Sequence, residues 1–131
     1  MLITINDTDH ISTIQEQFSQ LFPFLKLEFF KKGHALQNMV ATKNPITNIN
    51  KTLAEYRTVV KPGEIKIAPE MTVSELEKQF NDIYGLSTQI FRKSGNIWLV
   101  TSITDNWTLE EQNQQGELIT NQLNDRKTKI D

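Results

Sequence analysis

FRKSGNIW, residues 91–98, packs two cations, a turn glycine and a tryptophan into one short stretch, and its reading decides the fold. Gly95 tolerates positive φ, so either Ser94–Gly95 or Gly95–Asn96 serves as the two-residue link of a β-hairpin. With Ser94–Gly95 at the turn Phe91 faces Trp98; with Gly95–Asn96 Phe91 faces Val100 and Lys93 faces Trp98. Both registers put Phe91, Trp98 and Val100 on one side and Ile90, Ile97 and Leu99 on the other. A hairpin apolar on both sides must be covered on both. Helices cover one, and Ile90, Ile97 and Leu99 are the candidate interface of the second, to be covered by the last helix, a partner chain or a ligand.

Outward from the hairpin, the chain repeats itself. Phe29, Lys31 and Gly33 recur as Phe91, Lys93 and Gly95, and sliding residues 2–33 over 64–95 without a gap also matches Ile3 with Ile65, Ile5 with Ile67, Ser12 with Ser74, Gln17 with Gln79 and Phe18 with Phe80. The apolar positions coincide as well: Ile11 with Val73, Ile14 with Leu76, Leu21 with Ile83, Phe22 with Tyr84 and Phe24 with Leu86. Each unit opens on an alternating strand, continues into a helix with one apolar stripe, is stopped by Pro23 or Gly85, and ends in a strand, near 25–31 and 87–93. Thr72 with Glu75, Thr52 with Glu55 and Thr108 with Glu111 have capping-box spacing.

Two βαβ units in tandem predict an α+β fold, a ferredoxin-like two-layer sandwich with an extra C-terminal strand (97–103) and helix. If TLAEYR (52–57) is the counterpart of TLEEQN (108–113), the repeat is βαββα instead. Within the polar connection 34–62, the Pro62–Gly63 turn pairs Thr58–Val60 with Ile65–Ile67. The last helix has a weak stripe, because Leu109, Ile119 and Leu123 share it with Gln112 and Gly116, so its hold on the core is expected to be loose. One domain over 1–124 and a disordered tail over 125–131 complete the expectation.

The 131 residues carry a formal charge of −2 and 37% hydrophobic side chains. That balance supplies no general field for nucleic acid or anionic membrane, and no stretch matches the aromatic pattern of an RNA-binding sheet. With no Cys, disulfides, Cys–zinc sites and thiol catalysis are excluded. MLITINDTDH lacks the features of a signal peptide and no window approaches the roughly 18 apolar residues that span a bilayer, so a cytoplasmic protein is expected. No nucleophile-elbow, zincin or phosphate-loop motif occurs, and no catalytic residue or cofactor is assigned. In DTDH, Asp7, Asp9 and His10 look like metal ligands, but a strand-to-helix junction calls for capping and first-turn acids, so no metal is expected.

TSITDNWTLEEQN, 101–113, puts hydroxyls, a carboxylate and an indole at the end of a strand. The plain reading is a turn at Asp105–Asn106, a cap at Thr108 and Trp107 stapled onto the helix. The sharper one is a ligand site formed by Arg92, Lys93, Trp98, Thr101, Asp105 and Trp107, with Lys31 and Lys32 joining Arg92 and Lys93 around an anion. FRKSG, the aromatic strand after it and TDNWTLEEQN together resemble small, functionally uncharacterised proteins of Bacteroidetes-type bacteria over residues 64–116. The resemblance implies a bacterial cytoplasmic setting and no activity. The functional expectation is a non-enzymatic protein-interaction module acting on a protein partner or by self-association as a homodimer; the alternative is a small-molecule or anion-binding regulatory domain.

Overall fold

A computed structural model describes residues 2–31, 45–59, 61 and 64–130. The elements are β1 (Ile3–Ile5), α1 (Ile11–Leu21), β2 (Leu25–Phe30), α2 (Leu53–Tyr56), β3 (Ile65–Ile67), α3 (Val73–Tyr84), β4 (Ser87–Ser94), β5 (Ile97–Val100) and α4 (Leu109–Ile130). The fold is α+β, and every strand pair is antiparallel. Hydrogen bonds divide the described strands into two ladders, β1–β3 and β2–β4–β5, where a single ferredoxin-like sheet was expected. The outer side of β2 is closed to β1 because its carbonyls are taken: Ser19 and Gln15 of α1 donate to Leu25 O at 3.3 Å and Leu27 O at 3.0 Å, and Ile46 N donates to Phe29 O at 2.9 Å.

The helices bury the stripes read from the sequence. Ile11, Ile14 and Phe18 of α1 and Val73, Leu76 and Phe80 of α3 are fully buried with Ile5, Ile65, Leu25, Leu27, Phe29 and Ile90. Phe80 meets Phe29 edge-on at 5.1 Å and Tyr84 at 6.2 Å, the offset geometry that aromatic quadrupoles favour. Phe22 and Gly85 cap the two helices, Gly85 with φ 67°.

Four backbone hydrogen bonds among residues 7–54 have counterparts among residues 69–110. Ile11 N donates to Lys51 O as Val73 N does to Trp107 O, and Ser12 N to Ile49 O as Ser74 N does to Asp105 O. Leu53 N reaches Asp9 O as Leu109 N reaches Met71 O, and Ala54 N reaches Asp7 O as Glu110 N reaches Pro69 O. His10–Thr52 and Thr72–Thr108 form matching bridges, and Phe30–Pro45 matches the Phe91–Val100 pair. The gapless sequence match holds through the helices and slips in the last strands. Pro23 and Phe24 separate Phe22 from Leu25, whereas Gly85 alone separates Tyr84 from Leu86. One residue reverses the side on which a strand position lies. Phe29 is therefore a core residue, while Phe91 is partly exposed on the other face and Ile90 takes the core position.

Three further expectations change. The described partner of β3 is β1, not Thr58–Val60; Thr58 N and Val59 N donate to Tyr84 O instead, while Val60, Pro62 and Gly63 lie outside the described residues, as do Lys32, Gly33 and His34. The strand expected over 97–103 stops at Val100, because Thr104 N turns back to Thr101 O and Trp107 N to Thr104 O. Finally, α4 continues to Ile130, and side-chain bonds hold it to the sheet as far as Thr120. Leu109, Gln112, Gly116 and Thr120 form its buried stripe. The polar members bond to the sheet: Thr120 Oγ1 accepts Gly95 N at 3.1 Å, and the neighbouring Asn113 Oδ1 accepts Phe24 N at 2.8 Å. Side-chain bonds to otherwise orphaned backbone groups replace apolar burial there.

Candidate functional site

The hairpin turns at Gly95–Asn96 with Gly95 at φ 66°, and Phe91 faces Val100, Arg92 Leu99, Lys93 Trp98 and Ser94 Ile97. This is the second of the two registers weighed. Residues paired across a two-residue turn exchange backbone hydrogen bonds, and the pattern then alternates. Ile97 and Leu99 therefore spend their N–H and C=O groups on β4, and those of Trp98 and Val100 point outward. Consistent with this alternation, Lys93 N, on the other side of β4, donates to Phe24 O at 2.9 Å.

Outside β5 the described sheet ends. Its two edges contrast: the outward carbonyls of β2 are each taken by a side chain or by Ile46, whereas β5 presents apolar side chains and bare backbone. Ile97, Leu99 and Val100 are 59%, 40% and 44% exposed, and Ile103 just beyond is 94% exposed. Soluble proteins blunt such edges with charge, proline or cover; β5, Ile97–Trp98–Leu99–Val100, has no charged residue and no proline.

Of the candidate interface residues, Ile97 and Leu99 reach solvent. Ile90 does not: it lies fully buried opposite Leu27 in the central strand. The side of the sheet carrying Ile90, Arg92 and Leu99 is the helix side. The opposite side carries Lys26, Phe91, Lys93, Trp98 and Val100, with the Lys26 ammonium 5.2 Å from the Phe91 ring and 5.1 Å from the Trp98 ring, which is cation–π range.

The candidate ligand set divides along the same line. Lys93 and Trp98 are cross-strand partners on the face opposite the helix side. Arg92, one residue away, turns to the helix side, where Nη1 donates to Gln112 Oε1 at 2.9 Å and the guanidinium lies 5.7 Å from the Trp107 ring; its Nε is buried without a protein acceptor. Gln112 Nε2 donates to Thr104 O and Oγ1 at 2.7 and 2.8 Å. Thr101 is buried and its hydroxyl donates to Ile90 O at 2.8 Å, continuing the ladder past the end of β5. Asp105 docks the loop on α3 through its backbone carbonyl, which accepts Ser74 N at 2.8 Å. Burial, with the Asp105 carboxylate adding to it, pushes Glu77 up to about 7. Arg92 and Lys93 thus do not converge, and Lys31 is exposed apart from them. An open groove of about 370 Å³ lined by Trp107, Glu111, Gln114, Gln115 and Leu118 runs along α4.

Thr108 and Glu111 form both halves of their capping box, at 3.1 and 2.9 Å; Thr72 Oγ1 accepts Glu75 N at 3.1 Å. The DTDH junction behaves otherwise than expected. His10 caps α1 without a side-chain bond, Asp9 Oδ2 accepts Asn6 N at 2.9 Å, and Asp7 Oδ2 pairs with Arg57 Nη1 at 3.1 Å. Arg57 also donates to Val59 O, Lys61 O and Ile83 O and lies over the Tyr84 ring at 4.8 Å. Among the described residues no cluster of three or more His, Asp or Glu could hold a metal ion, and no helix is long and apolar enough to cross a membrane. Sequence reasoning missed Val100 and Ile103 as exposed apolar residues; their place in an uncharged stretch was the available signal. No family model, curated protein or solved structure matches the chain, so its functional reading rests on this geometry.

Proposed function

We propose that the protein is a non-enzymatic interaction module that takes up an extended segment of a protein partner as an added strand on β5. The observation that supports it is the difference between the two sheet edges, one with its outward carbonyls taken and the other apolar with outward N–H and C=O at Trp98 and Val100. Strand addition uses such backbone groups for affinity and alternate side chains for selectivity. We also read the chain as a duplicated βαββα unit, on the strength of the corresponding hydrogen bonds. In that reading Pro45 stands where Val100 stands in the second half. A proline cannot donate to a ladder, so the first half has lost the edge that the second keeps. The setting proposed is the bacterial cytoplasm.

The Pro45 correspondence supplies the test. Val100→Pro removes one outward N–H and leaves the β4 pairing in place. Tagged protein carrying Val100→Pro is expected to retain its circular dichroism and lose the partners that the wild type retains in a pull-down. An unchanged set of bound proteins would remove the edge from the reading. The small-molecule alternative has less support, since Lys93 and Trp98 lie across the sheet from Arg92 and cannot line one pocket with it.

A further inference from the structure

We propose that the strand taken up by β5 is β5 of a second copy of this chain, in an antiparallel dimer whose sheet runs continuously through both subunits; this rests on the edge reading above and names its occupant. An antiparallel pair of identical strands has a twofold axis, so one patch serves both partners. A twofold normal to the sheet keeps each residue on its own side, and only registers that set odd positions against odd positions satisfy it. Centring the axis on Leu99 pairs Trp98 with the second copy's Val100, and Val100 with its Trp98. Those are the residues whose backbone groups point outward, so both exchange their N–H and C=O bonds in this one register.

The side chains agree with the backbone. On the helix side Leu99 meets its own copy across the axis, with Ile97 diagonal to it, which covers the 40% and 59% exposed side chains. On the other side of the sheet each Val100 is covered by an indole. Like against like is electrostatically costly for a charged strand, and β5 has no ionisable side chain. The nearest cations stand on β4 and β2, behind β5: Arg92, opposite Leu99 on the helix side, is turned to Gln112 and Trp107, and on the other side Lys93 lies opposite Trp98 while Lys26 lies over its ring, so no like charges face each other directly across the axis. A heterologous partner would leave this self-matching register unused.

Light scattering on the purified protein over a micromolar to millimolar series tests the mass, and a single introduced thiol tests the register. Non-hydrogen-bonded antiparallel partners have Cα atoms roughly 4.5 Å apart, within disulfide range. Because the chain has no Cys, Leu99→Cys under mild oxidation is expected to give a covalent dimer in high yield, and Ile103→Cys, at a more exposed position (94% against 40%) but off the axis, only a trace. Val100→Pro and Leu99→Lys are expected to halve the mass with the circular dichroism unchanged. A wild type that stays monomeric throughout the series overturns the dimer, as does a dimer in which Leu99→Cys links no faster than Ile103→Cys. If the wild type is monomeric yet Val100→Pro abolishes capture of a different protein, the edge is retained as a docking site and the second copy is rejected. If Val100→Pro changes neither mass nor capture, both readings fail.

Discussion

The Arg92 guanidinium donates to the Gln112 side-chain oxygen at 2.9 Å, joining β4 to the first turns of α4. Gln112 is fully buried, and its nitrogen is spent on Thr104. Removing it strands a guanidinium N–H, a carbonyl and a hydroxyl at once. Leaving buried polar groups unpaired costs about 1–3 kcal/mol each, partly relieved by entering water. Gln112→Ala is expected to cost about 2–4 kcal/mol in urea denaturation, and Leu123→Ala, at a position 39% exposed, under about 1 kcal/mol. The reverse order would mean that α4 is held by its leucines.

Gly116 is the close-approach residue of the same helix. A Cβ there would stand 2.9 Å from Phe24 Cβ and 3.3 Å from Lys93 O. Alanine in an exposed helix gains about 1 kcal/mol over glycine; here overpacking is expected to outweigh it, for a net loss of about 1–2 kcal/mol. Thermal denaturation of Gly116→Ala checks the sign. A rise in Tm would show that the helix can move off the sheet at no cost.

Phe80 sits between Phe29 and Tyr84 with no exposed surface. Phe80→Ala is expected to destabilise by about 3–5 kcal/mol, the range for buried aromatic truncations. Chemical denaturation followed by tyrosine and tryptophan fluorescence measures it. A loss below 1 kcal/mol would mean that this cluster is not the centre of the core.

Glu77 gives a pH dependence with a definite sign. Its folded value of about 7 exceeds the ordinary 4.5, so between these the folded chain keeps a proton that the unfolded chain has released. Stability associated with neutral Glu77 is complete below about 4.5 and is lost as pH rises through about 7. Glu77→Gln is expected to exceed the wild type by about 1–3 kcal/mol near pH 8, given partial solvent access, and to match it near pH 4. Denaturation midpoints at the two pH values decide; an equal gain at both would trace the effect to packing.

Elements that rest on apolar periodicity were legible in the sequence. Ile11, Ile14 and Phe18 and their counterparts at Val73, Leu76 and Phe80 mark both long core helices, and Thr108 with Glu111 marks the start of α4. Two things were hidden for physical reasons. The shared Phe29 and Phe91 favour a gapless match, whereas Gly85 turns the chain in one residue and puts Ile90 in the core, which removed Ile90 from the interface set. The grip of α4 was hidden because Gln112, Gly116 and Thr120 look like faults in an apolar stripe, and they hold by hydrogen bonds and close approach. The edge character of β5 was half visible: its uncharged residues stand in the sequence, but only strand order shows that nothing described lies beyond them.

The capped side of β2 determines how far growth can go. A sheet with two open edges adds copies at both and polymerises into a fibre. Here Ser19, Gln15 and Ile46 occupy the Leu25, Leu27 and Phe29 carbonyls, so among the described residues the far edge of this three-stranded sheet offers a further copy no free outward carbonyl. In the proposed dimer, addition through β5 stops after one step, and an uncharged edge strand is then kept on the surface of a protein without seeding aggregates.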